Sequence, residues 1–210
     1  MRYILDVDPR VNFTDEMITK IWKLPSYVNF IGSFTEESAA KFREDLIMAE
    51  NSAIKCQQEI IPVVIDSYGG SVYALMSMID AINNCKLKVA TIVESKAMSC
   101  GAVLFSCGAE GYRYIGPNAT VMIHTVSLME FGKIDEIKAG ASEGERLNEK
   151  LFSLMSRNCG HKDTYFLDEL KERKMADWYL DAKDCVKHKL ANKIHIPSMN
   201  VKVHFDYKFE

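Results

Sequence analysis

The run Ile60-Ile61-Pro62-Val63-Val64-Ile65 is short, rich in β-branched residues and free of polar side chains. It ends in the turn-forming stretch Asp66-Ser67-Tyr68-Gly69-Gly70, after which Val72, Leu75, Met76, Ile79 and Ile82 recur at helical spacing. An apolar run without alternation fits a strand covered on both faces, and such strands are parallel ones joined by helical crossovers. The unit recurs along the chain. Tyr27 to Ile31 precedes a helix opened by Thr35, Glu36 and Glu37 and carrying Phe42, Leu46 and Ala49. Val89 to Val93 precedes an apolar helix over Met98 to Ser106. Tyr112 to Ile115 and Thr120 to Ile123 read as two further strands around Gly116-Pro117-Asn118. The expectation is an α/β domain whose functional residues lie at strand ends.

Elsewhere, Thr14 is expected to cap a short helix with Met17, Ile18, Ile21 and Trp22 on one face, stopped by Pro25. A long helix is expected from about Ile134 to Asn158, closing at Gly160, and a shorter one from Asp163 to Lys174. Trp178 to Leu180 reads as a strand and Asp181 to His188 as a helix. In the tail Val201, Val203, Phe205, Tyr207 and Phe209 alternate with polar residues, the pattern of an edge strand. Residues 1–26 form an N-terminal segment, 27–195 the main domain and 196–210 a tail.

With 26 basic and 29 acidic residues and a net charge of −3, no global field draws the chain to nucleic acid or to an anionic membrane. No run approaches the ~18 apolar residues of a membrane span, and acids follow closely behind the apolar stretch of MRYILDVDPR. A soluble, cytoplasmic protein is expected. Cys56, Cys85, Cys100, Cys107, Cys159 and Cys185 form no CxxC pair and no metal-ligand spacing, so they read as reduced thiols packed as small hydrophobes.

Three features fall where strands should end: Gly69-Gly70, Ser99 within Met98-Ser99-Cys100-Gly101-Ala102, and His124 after Val121-Met122-Ile123. A serine becomes a nucleophile only when a base takes its proton, and the base needs a carboxylate to hold its tautomer. Ser99, His124 and Asp177 supply those three groups. The oxyanion formed on attack needs preorganised N–H donors, for which Gly70 and Cys100 are the candidates. Taken singly each feature is ordinary. Ser99 reads as a helix cap or packing residue, His124 as a half-buried histidine, Asp177 as a loop residue and Gly69-Gly70 as a turn.

Together, Ile65-Asp66-Ser67-Tyr68-Gly69-Gly70-Ser71-Val72, the Met98 to Ala102 block, Gly108-Ala109-Glu110-Gly111-Tyr112-Arg113 with Pro117-Asn118, and Val121 to His124 stand in the order and spacing of Clp protease proteolytic subunits, which the chain resembles from about Phe30 to Ile194. The resemblance implies a ClpP/crotonase-like α/β spiral of stacked βαβ units with a helical handle at about 125–158. It also implies a serine endopeptidase with the triad Ser99, His124 and Asp177, working on peptides or unfolded proteins without metal or organic cofactor. The expected assembly is a homo-oligomer of two stacked heptameric rings, a tetradecamer. Peptide would lie extended along Gly69, Tyr68, Thr125 and Val126 as an added strand.

The sequence departs from the family at four places. Tyr68 stands where proline usually precedes the two glycines, removing a fixed φ. Cys100 replaces a methionine, leaving the backbone N–H but putting a smaller, oxidisable side chain on that side of the pocket. Pro62, Val64 and Asn84 occupy positions where aromatic residues dock an ATP-driven unfoldase, and the N-terminal segment lacks the family's axial-loop sequence. These changes argue against the usual AAA+ unfoldase as partner and fit a divergent or phage-encoded member. Other readings are a catalytically silent ring scaffold, a crotonase-like acyl-CoA enzyme, and a Ser/Lys protease using Lys96 as base.

Overall fold

Thr35 opens the first crossover. Its Oγ1 accepts from the Ser38 N–H at 3.1 Å while Ser38 Oγ accepts from the Thr35 N–H at 2.9 Å, a reciprocal cap reinforced by Glu36 and Glu37 at the positive end of the helix. In the computed structural model, which describes residues 2–6, 26–127 and 131–202, this helix is α1 (Glu36–Lys55) and follows strand β2 (Val28–Phe34). Then come β3 (Ile60–Gly70), α2 (Val72–Asn83), β4 (Lys88–Met98), α3 (Cys100–Ser106), β5 (Arg113–Ile115) and β6 (Thr120–Ile123). The chain continues through α4 (Ile134–Asn158), α5 (Tyr165–Glu172), β7 (Trp178–Leu180), α6 (Ala182–Lys187), β8 (Lys193–Ile194) and β9 (Ser198–Lys202), with β1 (Arg2–Asp6) at the start.

Among the described residues, seven strands form the main sheet in the order β2-β3-β4-β5-β8, with β6 joined to β4 and to β7. All pairings are parallel except β6 with β7. Period-two alternation divides the apolar runs between two faces. Ile61, Val63 and Ile65 of β3 and Val89 and Val93 of β4 join the helices in the main core, while Val64, Ala90, Ile92 and Tyr114 form a second cluster. The uninterrupted runs are thus strands buried on both sides, as the sequence predicts. A fully buried Arg113 ties the later chain to the sheet, donating to the backbone oxygens of Gly108, Lys189 and Leu190 at 3.1 Å.

Several boundaries differ from the sequence reading. β3 and β4 do not stop at Ile65 and Val93. Each runs five residues further, to Gly70 and Met98, because the ladders with β2, β4 and β6 resume after local register shifts. The turn expected at Asp66 to Gly70 is therefore the irregular end of a strand, and the helix expected from Met98 begins at Cys100. The helix expected from Asp163 to Lys174 is the shorter α5. Residues Ser198–Lys202 of the tail do form a strand, but it pairs in parallel with β1 in a separate two-stranded sheet. The helix expected around Met17 to Trp22 and the rest of the alternating tail lie outside the described residues.

Candidate active site

β4 carries two neighbours in series on one edge, β5 at Thr91–Val93 and β6 at Lys96–Met98. The second pairing sets Met98 against Met122, so the residues that follow each strand emerge side by side. Ser99 follows β4. Its N–H donates to the Met122 carbonyl at 2.8 Å, and its backbone takes φ 56° and ψ −118°. That conformation is costly for any residue but glycine and marks a sharp strand-to-helix corner. His124 follows β6, and its Nε2 lies 2.8 Å from Ser99 Oγ. With the ring proton on Nδ1, the Ser99 hydroxyl donates to Nε2.

Asp177 arrives by another route. After α5 the chain turns through Lys174 and Met175, at φ 56° and 61°. It then enters β7, whose antiparallel pairing sets Trp178 against Ile123. This register brings Asp177 opposite His124, with Oδ1 3.8 Å from Nδ1 and the carboxylate side chain 53% exposed. That is ion-pair range, beyond a hydrogen bond.

The two glycines bring the end of β3 against the corner. A Cβ on Gly69 (φ 107°) would lie 2.8 Å from Ser99 Cβ, and one on Gly70 (φ 146°) would lie 2.5 Å from the Phe34 carbonyl oxygen. Before them, buried Ser67 donates its hydroxyl to the Gly32 carbonyl and accepts from the Gly69 N–H at 3.0 Å, which ties the end of β3 to β2. Cys100 opens α3, where its N–H has no acceptor within the helix. Its thiol lies 3.2 Å from the Gly70 carbonyl, and burial pushes that thiol up to about 11.

A cavity of about 290 Å³ adjoins Ser99 and His124, walled by Val72, Val103, Met122, Val126, Leu151 and Phe152 among others. Of the groove residues expected from the sequence, Tyr68 and Val126 line it. Tyr68 stands at its lip, 72% exposed. Gly69 sits against Ser99 as described, and Thr125 is half-buried beside His124 without lining the cavity. The α4 residues Asn148, Leu151 and Phe152 were not singled out by sequence; helical periodicity marks Leu151 as apolar-face, but nothing local reveals Asn148. Lys96 is paired with Asp66 and lies 4.5 Å from the Tyr68 ring centre. The hydrogen bond to Asp66 raises its pKa, so it stays charged and is a poor base.

On the other face of the sheet, Pro62, Ala90, Ile92, Tyr112 and Tyr114 form one wall of a second cavity of about 410 Å³, whose other wall includes Ser198 to Val201 of β9. Asn84 lies elsewhere, beside Arg43 and Cys85.

Fold and site define an α/β protein that presents a serine–histidine pair from adjacent ends of parallel strands, an arrangement suited to acyl transfer. The family model described as Clp protease matches residues 16–197. The chain belongs to the Clp protease family, a family of peptidases. No helix among the described residues is long and apolar enough to cross a membrane.

Proposed function

We propose that this protein is a serine endopeptidase that hydrolyses peptide bonds of peptides or unfolded proteins inside a self-compartmentalised ring, with residues 27–195 as the peptidase unit. The observation that carries the proposal is the 2.8 Å contact between His124 Nε2 and Ser99 Oγ at a strained corner. Ser99 Oγ attacks the scissile carbonyl carbon as its proton passes to His124 Nε2. The tetrahedral oxyanion is held by the N–H groups of Gly70 and Cys100. Collapse breaks the C–N bond, the imidazolium gives its proton to the departing amine, and an acyl-enzyme remains on Ser99. Water, deprotonated by His124, then releases the acid and restores the hydroxyl. Asp177 orients the imidazole and stabilises its charged form. These steps call on no metal or organic cofactor.

The extended substrate lies between the Tyr68-Gly69-Gly70 stretch and Thr125-Val126. Clp proteases generally form stacked rings, and we take the assembly here to be two heptameric rings. The AAA+ unfoldase partner is disfavoured because Pro62 faces a cavity that the chain's own β9 helps to close. Cys100, Cys159 and Cys185 are buried free thiols, as suits the reducing cytoplasm.

Labelling with a fluorophosphonate, followed by peptide mapping, tests the reading. Modification of Ser99 that disappears in His124→Ala is expected. Folded protein left unlabelled favours the silent scaffold, and labelling elsewhere overturns Ser99 as the nucleophile. Retention of labelling in Lys96→Met is expected as well, because a charged, Asp66-paired lysine takes no proton from Ser99.

A further inference from the structure

We propose that Asn148 is a positioning residue for peptide substrate, holding the segment after His124 as one wall of the groove; this rests on the peptidase reading above. The Val126 N–H donates to Asn148 Oδ1 at 2.7 Å, across 22 residues of sequence. Both residues line the cavity beside Ser99 and His124. Asn148 sits on α4 next to buried Leu147 and one turn before buried Leu151, so the core holds its backbone in place.

This single contact has a directional consequence. Along an extended segment the N–H and C=O groups of successive residues face opposite edges. An extended course of this segment, with Val126 turned towards α4, directs the backbone groups of Thr125 and Ser127 to the other edge, and neither residue hydrogen-bonds to another described residue. An extended peptide adds to such an edge as a new strand. Loss of the Asn148 acceptor leaves the half-buried Val126 N–H unpaired, and the segment turns to regain a partner in water. His124 is held by β6 and by Ser99, so the reacting pair survives that rotation while the substrate's backbone partners do not.

Two assays read the two functions apart. Phosphonylation of Ser99 by a small fluorophosphonate reports the reacting pair, and cleavage of an extended fluorogenic peptide reports the groove. Asn148→Asp, which keeps an acceptor at the same place, is expected to stay within about 3-fold of wild type in both. Asn148→Leu is expected to lose about 10-fold in kcat/KM for the peptide, chiefly through KM, the size of one lost hydrogen bond, and to lose less in the labelling rate of Ser99. Asn148→Ala, which adds no bulk, should repeat that loss if the leucine variant fails to fold. Unchanged KM in the alanine or leucine variant, or an equal loss in Asn148→Asp, overturns the proposal. A wild-type protein that does not label overturns the peptidase reading instead, so the two failures are distinct.

Discussion

His124 Nδ1 stands 3.8 Å from Asp177 Oδ1, whereas on the other side of the same ring Nε2 stands 2.8 Å from Ser99 Oγ. The imidazole is tightly engaged with the hydroxyl and loosely with the carboxylate. In a closely hydrogen-bonded triad the carboxylate contributes about 10⁴ to kcat. Here solvent reaches an exposed carboxylate and screens it. Asp177→Ala should therefore lower kcat/KM for a fluorogenic peptide by about 10²-fold, a smaller loss than with His124→Ala. A steady-state comparison of the two variants checks the order.

The corner at Ser99 stores backbone strain that the proposed chemistry needs and stability does not. A non-glycine residue at φ 56° and ψ −118° costs on the order of 1–3 kcal/mol. Ser99→Gly removes that cost, offset in part by about 0.5–1 kcal/mol of extra chain entropy in the unfolded state. Ser99→Ala removes the hydroxyl and keeps the strain. The glycine variant should be more stable than the alanine variant by about 1 kcal/mol in urea unfolding, with peptide hydrolysis abolished in both.

Much of this arrangement is legible in the sequence, for local reasons. The apolar runs at Ile60 and Val89 reveal doubly buried strands. His124 stands directly after such a run, at Thr120 to Ile123, whereas Ser99 is reached only through the polar extension of β4 beyond Val93, whose pairing with β6 brings the two together. Other features depend on groups far apart along the chain. The extension of β3 to Gly70 rests on ladders made with Ser33 and Phe34, and the Ser67 hydroxyl that ties it down bonds to Gly32. Asp177 lies in a loop whose place follows from the register of β7 against β6. Asn148 is one polar residue on a long amphipathic helix, and only the fold sets it against Val126.

Gly70 is constrained more severely than a turn would require. Its φ of 146° suits glycine, and a Cβ would lie 2.5 Å from the Phe34 carbonyl oxygen and 2.7 Å from its nitrogen, both of them backbone atoms that cannot move aside independently. Gly70→Ala must therefore push β3 from β2 just where Ser71 N–H also bonds the Phe34 carbonyl at 2.8 Å. A loss of at least about 2 kcal/mol in unfolding free energy is expected. Any protein that still folds should label poorly at Ser99, because the displaced strand end carries a proposed oxyanion donor. Denaturant titration and fluorophosphonate labelling on the same preparation check both expectations.

His188 supplies a pH dependence with a defined sign. It is buried, its Nδ1 pairs with the Tyr165 hydroxyl at 2.7 Å, and the edge of its ring system meets Trp178 at 4.8 Å between centres. Burial lowers its pKa below the usual value near 6.5, with Lys187 and Arg173 acting in the same direction and Glu169 and Asp184 opposing them. The neutral ring accepts the Tyr165 proton; the charged ring cannot. As the pH falls below about 6.5 the unfolded chain takes up this proton before the folded one, so the unfolded state binds more protons and stability declines. The contribution is fully present above pH 6.5 and is lost as the pH drops towards the folded-state value. His188→Gln has no titratable ring, so its urea midpoint should fall less between pH 6.5 and 5 than that of the wild type. Because Trp178 directly follows Asp177, the wild type should also lose peptide hydrolysis on acidification more steeply than His188→Gln, a difference that parallel pH–rate profiles would reveal.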